Sequence, residues 1–213
     1  MIDIISAANA ARHRDLLVEV HRFRYRLFVE HLGWPLSAID GMEYDAYDND
    51  DALYVVHRGP AGEVNACFRA IPMCCRTMLA EVFPHLVTDI AMPRSADVLE
   101  YTRYGVDPVL LETDRRAFRR IDEIMRAAMY ELPLALGARS MVFVTEMRWP
   151  ELAITKYGIE GRPLGKAHLI GGLPTGAWEM PARADILERL RRHTNLTGPV
   201  IHNLSEVMVP LAA

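Results

Sequence analysis

The chain has 213 residues, 51% of them apolar and 24% charged, a size and mixture that support one sizeable core and exclude a disordered chain or a disulfide-stapled miniprotein. Lys and Arg number 24 against 28 Asp and Glu, and the net charge of -4 gives no bulk attraction to nucleic acid or to an anionic membrane. Three cysteines, Cys67, Cys74 and Cys75, are an odd set with two adjacent, and no run of about 18 apolar residues or leader-like N-terminus occurs, so a reduced, cytoplasmic protein is expected.

Residues 2–6 are β-rich. Leu16, Leu17, Val20, Phe23, Leu27 and Phe28 then recur at spacings near three and four, which predicts an amphipathic helix ending around Gly33-Trp34-Pro35. Residues 37–51 carry six acidic residues (Asp40, Glu43, Asp45, Asp48, Asp50, Asp51) with breakers and little periodicity, and read as an acidic loop. Residues 52–57 and 63–71 are apolar runs separated by Arg-Gly-Pro-Ala-Gly, a hairpin signal. Residues 72–96 suggest short helical turns and loop, and 98–106 a strand. Asp114 is placed to cap a long helix with an apolar face of Phe118, Ile121, Met125, Ala128, Met129 and Leu132. A short strand at 141–145, a helix at 151–157 closed by Gly158, strands at 167–173 and 206–211, and a helix at 184–193 between them complete the order. That order predicts an α/β sandwich with a mixed sheet in one domain spanning 1–213.

Four features stand out chemically. Arg24 lies four residues from both Val20 and Phe28, at the edge of an apolar face, where a snorkelling surface arginine is the ordinary reading. Glu43, Asp45 and Asp48 lie among Tyr44 and Tyr47. They are either a solvated loop or a site that locks buried arginines or holds an organic cation such as a sulfonium, and their spacing does not fit a metal site. Arg69, Glu100 and Arg103 stand inside apolar strands, where an ion needs a partner. Strand alternation separates Glu100 from Arg103 unless a bulge re-aims one of them. No dinucleotide fingerprint, P-loop, zinc spacing or nucleophile elbow occurs.

Arg24, Phe28 and Trp34, then Glu43, Asp45 and Asp48, then Arg69, Phe83-Pro84, Glu100 and Arg103 together resemble the acyl-homoserine-lactone synthase (LuxI-type autoinducer synthase) family, in its order and approximate spacing over residues 24–106. The chain departs from the family at Ala66-Cys67, where glycine is common, and at Thr102 and Tyr104, where Ser and Phe are usual. The resemblance implies an α/β, GNAT-like three-layer sandwich with a mixed, splayed central sheet, the S-adenosylmethionine side in the N-terminal half and the acyl side in the C-terminal half. It implies synthesis of an N-acyl-L-homoserine lactone from S-adenosylmethionine and an acyl thioester, with no metal and no cofactor, S-adenosylmethionine being a substrate. No nucleic-acid or membrane partner is implied.

On that resemblance Glu100 is the candidate base and Glu43 the runner-up, with Arg103 beside them and a backbone N–H near Tyr101–Tyr104 for the oxyanion. Arg24, Phe28, Trp34, Asp45, Asp48 and Arg69 fall to S-adenosylmethionine and the ordering of its loop. Tyr101 and Tyr104 count among the substrate-binding residues on that strand, and Met125, Phe143, Val144 and Thr145 fall to the acyl chain. The stretch 114–120 has no glycine to bring backbone N–H groups onto a pyrophosphate, which favours acyl carrier protein over acyl-CoA. Arg115, Arg116, Arg119, Arg120, Arg148 and Lys156 would then meet its acidic surface, or form a solvated helix face. Two other readings stay open: a GNAT-like acyltransferase that forms no lactone, and a non-catalytic acyl-ligand sensor.

Overall fold

The computed structural model describes residues 1–206. These form an α/β fold with a mixed sheet, in which two compact units are distinguished.

The first unit holds residues 1–70, 103–129 and the segment from Gly198. Its sheet runs β1 (Ile2–Ile5), β4 (Leu53–Arg58), β5 (Val64–Pro72), β6 (Val98–Val106), and β4 pairs antiparallel with both β1 and β5. The β4 and β5 runs are buried along nearly their whole length, which explains their continuous apolar reading. Helix α1 (Arg14–Arg24) does not continue as an α-helix. Residues Tyr25–His31 form a π-helix, in which Leu32 N–H reaches back five residues to the Leu27 carbonyl at 3.0 Å. The acidic stretch is not wholly loop, since β2 (Ala38–Ile39) and β3 (Met42–Glu43) pair as a small hairpin. β6 passes so close to the π-helix that a Cβ at Gly105 would lie 2.0 Å from Leu27 Cδ2, and only glycine fits there without displacing that side chain.

The second unit holds residues 71–102 and 130–197. Here β6 pairs in parallel with β7 (Ser140–Glu146), and β7 pairs antiparallel with β10 (Leu173–Pro181), which carries β8 (Arg162–Pro163) and β9 (His168–Ile170). The β6–β7 register ends at Tyr101↔Phe143 although β7 continues to Glu146, which is the splay expected of the sheet. One face packs Met73, Leu79, Leu86, Val98, Val142, Leu164 and Ala177. Short helix α2 (Met78–Glu81), α5 (Arg148–Tyr157) and α6 (Ala184–Thr194) complete this unit.

Two helices adjoin β6 in sequence. α3 (Pro108–Thr113) is capped by Asp107 onto Val109 N–H, and α4 runs Arg115–Leu136. Asp114 caps α4 as its position foretold, accepting from the N–H groups of Arg116 and Ala117 at 3.1 and 3.0 Å. Two late elements differ from expectation. The predicted strand at 167–173 is three residues of β9 followed by a Gly171-Gly172 turn into β10. In the predicted strand at 206–211, Glu206 ends a 3-10 turn and the rest lies outside the described residues. No helix among the described residues is long and apolar enough to cross a membrane.

His57 on β4 is buried and its Nδ1 has no hydrogen-bond partner among the described residues. Burial pushes its pKa down from 6.5 to about 4, with the charge of the N-terminal amine adding to the shift. The unfolded chain therefore takes up this proton at a higher pH than the folded one, so stability is lost as pH falls from 6.5 towards 4. Urea unfolding at pH 7.5, 5.5 and 4.5 should show that fall, and His57→Gln should flatten it. An equal slope in the variant would remove His57 as its source.

Candidate active site

Three arginines and three carboxylates of the first unit close on one another. Arg24, fully buried on the last turn of α1, donates Nε to Glu43 Oε2 at 2.6 Å and both Nη atoms to Asp48 at 2.6 and 2.9 Å. Arg69, fully buried on β5, grips Asp45 with two parallel bonds of 2.6 and 2.9 Å and reaches Asp48 Oδ1 at 2.7 Å. Arg103 on β6 donates to Glu43 at 3.0–3.3 Å and lies 2.9 Å from Asp45 Oδ2. Each carboxylate is shared by two guanidiniums, so the charges cancel within the cluster. Paired forks of this kind are the strong form of the interaction.

The backbone explains how Arg103 joins in. Its φ is +55°, a left-handed conformation that costs a side-chain-bearing residue energy and interrupts the strand alternation. Arg24 is likewise not a snorkelling surface group. Its partners take it fully out of water, which is tolerable only because every hydrogen-bonding face is met.

Polar groups around the cluster fix it further. Asp48 accepts from the Asp45 N–H at 2.8 Å and from the Tyr54 hydroxyl at 2.9 Å, and Asp45 accepts from the Tyr47 N–H at 2.9 Å. The His21 ring donates Nδ1–H to the Glu43 carbonyl at 2.9 Å and lies against Tyr44 with ring centroids 3.9 Å apart. Burial, with the Arg24 charge, lowers the His21 pKa and keeps that ring neutral. Burial alone would lower the Arg24 pKa, but bonds and charge from Asp48 and Glu43 outweigh it and hold the guanidinium above its ordinary value. Burial also opposes ionisation of Asp48, yet Arg24 and Arg69 keep its carboxyl well below the usual range. The Tyr54 phenol is pushed up, first by burial and then by Asp48. His21 and Tyr54 carry no motif and went unmarked in the sequence.

Exposure grades the cluster. The side chains of Glu43 and Arg69 show no surface, Arg24 1%, Asp48 5% and Arg103 6%, whereas Asp45 shows 17%. Asp45 is the most exposed carboxylate of the cluster. The Arg103 guanidinium lies 5.8 Å from the Phe28 ring centroid, and Phe28 stacks at 5.0 Å on Trp34, which is 45% exposed. A partly exposed carboxylate beside an aromatic pair suits an organic cation that carries an aromatic base.

Glu100, in the second unit, is 2% exposed. One carboxylate oxygen accepts from the Met78 N–H at 2.9 Å and the other from the Leu79 N–H at the start of α2. Glu100 is thus anchored to backbone N–H groups, while the Glu43 oxygens serve Arg24 and Arg103.

The remaining candidates fall into several places. Tyr101 is buried. The Tyr104 hydroxyl donates to Asp122 at 2.6 Å, and Asp122 also binds Arg126 at 2.8 Å. Met125 is fully buried. Phe143 and Thr145 share one face of β7, while Val144 belongs to the opposite face and packs against the Leu79–Val142 core, as strand alternation requires. Arg115, Arg116, Arg119 and Arg120 are exposed on the first turns of α4. Arg148 and Lys156 lie on α5, stacked over Trp149 and Tyr157 at 4.8 and 4.9 Å.

Known proteins resemble this chain in sequence and in fold. The autoinducer synthase family model matches residues 8–182. A probable acyl-homoserine-lactone synthase of Sinorhizobium fredii is 30% identical over 190 residues, 88% of this chain and 90% of the relative. An isovaleryl-homoserine lactone synthase of Bradyrhizobium diazoefficiens is 32% identical over 187 residues, 87% and 80% of the two chains. The structure of BjaI, a CoA-dependent acyl-homoserine lactone synthase with SAM and isopentyl-CoA, superposes with a TM-score of 0.85 at 29% identity, covering 95% of this chain and 92% of the other. TofI in a ternary complex with an inhibitor and MTA gives 0.73 at 33% identity, covering 92% and 100%. A putative N-acetyltransferase from Lactobacillus plantarum, 18% identical with a TM-score of 0.51 over 85% of this chain and 99% of its own, shares the fold alone. The GNAT-like fold and the family implied by the sequence are thus both met, and this chain belongs to the autoinducer synthase family, the acyl-homoserine-lactone synthases.

Proposed function

We propose that the chain joins S-adenosylmethionine to an acyl thioester and releases an N-acyl-L-homoserine lactone, a thiol and methylthioadenosine. The α-amine attacks the thioester carbonyl, the carbon–sulfur bond breaks and the thiol leaves with a proton. The substrate's carboxylate oxygen then attacks its γ-carbon, and the sulfonium carbon–sulfur bond breaks to free neutral methylthioadenosine. The observation that carries this reading is the closed cluster of Arg24, Glu43, Asp45, Asp48, Arg69 and Arg103, which fixes a partly exposed carboxylate beside Phe28 and Trp34.

Within that reading Arg24, Glu43, Asp48 and Arg69 hold the acidic segment in shape, and Asp45 and Arg103 meet the charged groups of S-adenosylmethionine. Preorganised charge of this kind orients the substrate without reorganisation during reaction. Glu100, a buried carboxylate held by backbone N–H groups and not by guanidiniums as Glu43 is, takes the proton from the ammonium, directly or through a water. The backbone of β6 beyond Tyr101, where pairing with β7 has ended, steadies the oxyanion.

Two observations bear on the acyl donor. The four exposed arginines of α4 and its glycine-free first turn suit an acidic carrier protein. The likeness to BjaI and to MesI, a CoA-dependent synthase with a TM-score of 0.84, favours acyl-CoA. The three cysteines carry no disulfide, in keeping with work in the reducing cytoplasm.

Incubation with S-adenosylmethionine and a panel of carrier-protein and CoA thioesters tests the function. Lactone, thiol and methylthioadenosine should appear in equal amounts with at least one donor. Thiol without methylthioadenosine would leave an acyltransferase that forms no lactone, and neither product across the panel would leave a binder.

A further inference from the structure

Trp178 stands in the middle of β10, opposite Phe143, and is 5% exposed. Its indole Nε1–H is buried and has no hydrogen-bond partner among the described residues. An indole nitrogen can only donate, and a buried donor left unmade costs stability, so the position calls for an acceptor that the described residues do not supply.

The surroundings say what kind. Alternate strand residues share a face, so Trp178 stands with Gly176 and Met180 on β10 and with their partners Thr145, Phe143 and Met141 on β7. Tyr101 of β6 is in register with Phe143. The Tyr130 hydroxyl is engaged by Met180 Sδ at 3.5 Å. A Cβ at Gly176 would come within 3.6 Å of Trp178 Nε1 and 2.9 Å of Met147 Sδ, so the indole nitrogen is bordered by a glycine and by the end of a flexible methionine side chain that can yield to a ligand. An apolar wall with one or two placed polar groups is how a site reads an aliphatic ligand that carries a single oxygen.

We propose that Trp178 Nε1–H is a specificity donor that binds an oxygen on the acyl chain, so that this synthase favours oxo- or hydroxy-substituted acyl thioesters over unsubstituted ones of equal length. The assignment rests on the acyl-thioester reading above. One neutral hydrogen bond gained in a buried site corresponds to a preference of about ten-fold.

The test compares kcat/KM for octanoyl, 3-hydroxyoctanoyl and 3-oxooctanoyl thioesters, with S-adenosylmethionine, in the full chain and in Trp178→Phe and Gly176→Ala. The unmodified chain should favour an oxygenated donor about ten-fold. Trp178→Phe should bring the ratio near one by losing rate on the oxygenated donor while sparing the octanoyl donor. Gly176→Ala, which fills the space beside the nitrogen, should lower the ratio in the same direction. A ratio unchanged in Trp178→Phe, or an equal loss on all donors, overturns the assignment while lactone formation itself stands. Absence of lactone from every donor overturns the function and this inference with it. Should Trp178→Phe not fold, the indole N–H resonance of Trp178 in the unmodified chain, identified among the three tryptophans with Trp34→Phe and Trp149→Phe, decides the matter. It should shift with the 3-oxooctanoyl lactone and not with the octanoyl one, and equal responses would reject the proposal.

Discussion

Glu43→Ala should be among the most destabilising single changes in the chain, by ~3–5 kcal/mol. The Glu43 side chain is wholly buried and its two oxygens serve Arg24 and Arg103 at once. Removing it leaves three buried guanidiniums to share two carboxylates, Asp45 and Asp48, and none can shed its proton at any ordinary pH. Leaving a buried charge unmet costs far more than the pair contributed when intact. Glu43→Gln keeps the shape and one acceptor oxygen, so its loss should be smaller than that of alanine. Urea unfolding at pH 7.5 measures both, and a loss below about 1 kcal/mol for alanine, the range of exposed ion pairs, would mean that the cluster is solvated.

Glu100→Gln should lower turnover at least about a hundred-fold, the usual scale for a positioned base, with S-adenosylmethionine binding little changed. The amide is nearly isosteric and retains an acceptor for the N–H of Met78 or Leu79, so a folded variant is expected. Glu100→Ala removes the anchor of α2 as well, and should lose stability on top of rate because two N–H groups lose their acceptor. The two substitutions thus separate proton transfer from scaffolding. If Glu100→Gln turned over at near the unmodified rate while Glu100→Ala did not fold, Glu100 would be an anchor and not the base.

Much of this could be read before the structure, and the exceptions have physical causes. The paired runs at β4 and β5, the capped α4 and the charged residues inside β5 and β6 follow from burial, capping and the cost of unpaired charge, all local to the sequence. Period-two alternation sets Glu100 and Arg103 on opposite faces, and only the positive φ of Arg103 breaks that rule, an event without a sequence signature at an arginine. Arg24 looked like an edge residue because the i, i+4 ladder through Val20 and Phe28 assumes an α-helix, whereas the chain turns to a π-helix at Tyr25. Whether the acidic segment was wet or locked depended on partners at positions 24, 69 and 103, which spacing alone does not bring together.

β10 was missed for a different reason. Pro174 and Gly176 are residue types that weaken a strand pattern, yet Pro174 lies near the strand's beginning and Gly176 is where a side chain would collide with Met147, both positions at which strands tolerate these residues. With β10 unread, Trp178 carried no functional signal. The separation of Val144 from Phe143 and Thr145 was, by contrast, legible from alternation once β7 was accepted as a strand.

The arginine–carboxylate cluster of the first unit is proposed to build the S-adenosylmethionine site, with Asp45 as its most exposed member. Calorimetric titration of S-adenosylmethionine into the unmodified chain and into Asp45→Asn tests it most directly. The amide keeps the size and the polar contacts but removes the charge, so affinity should fall about ten-fold or more, the scale of one lost charge-assisted contact, in a variant that still unfolds cooperatively. Equal affinity in the two proteins would contradict the claim and leave the cluster as scaffold alone.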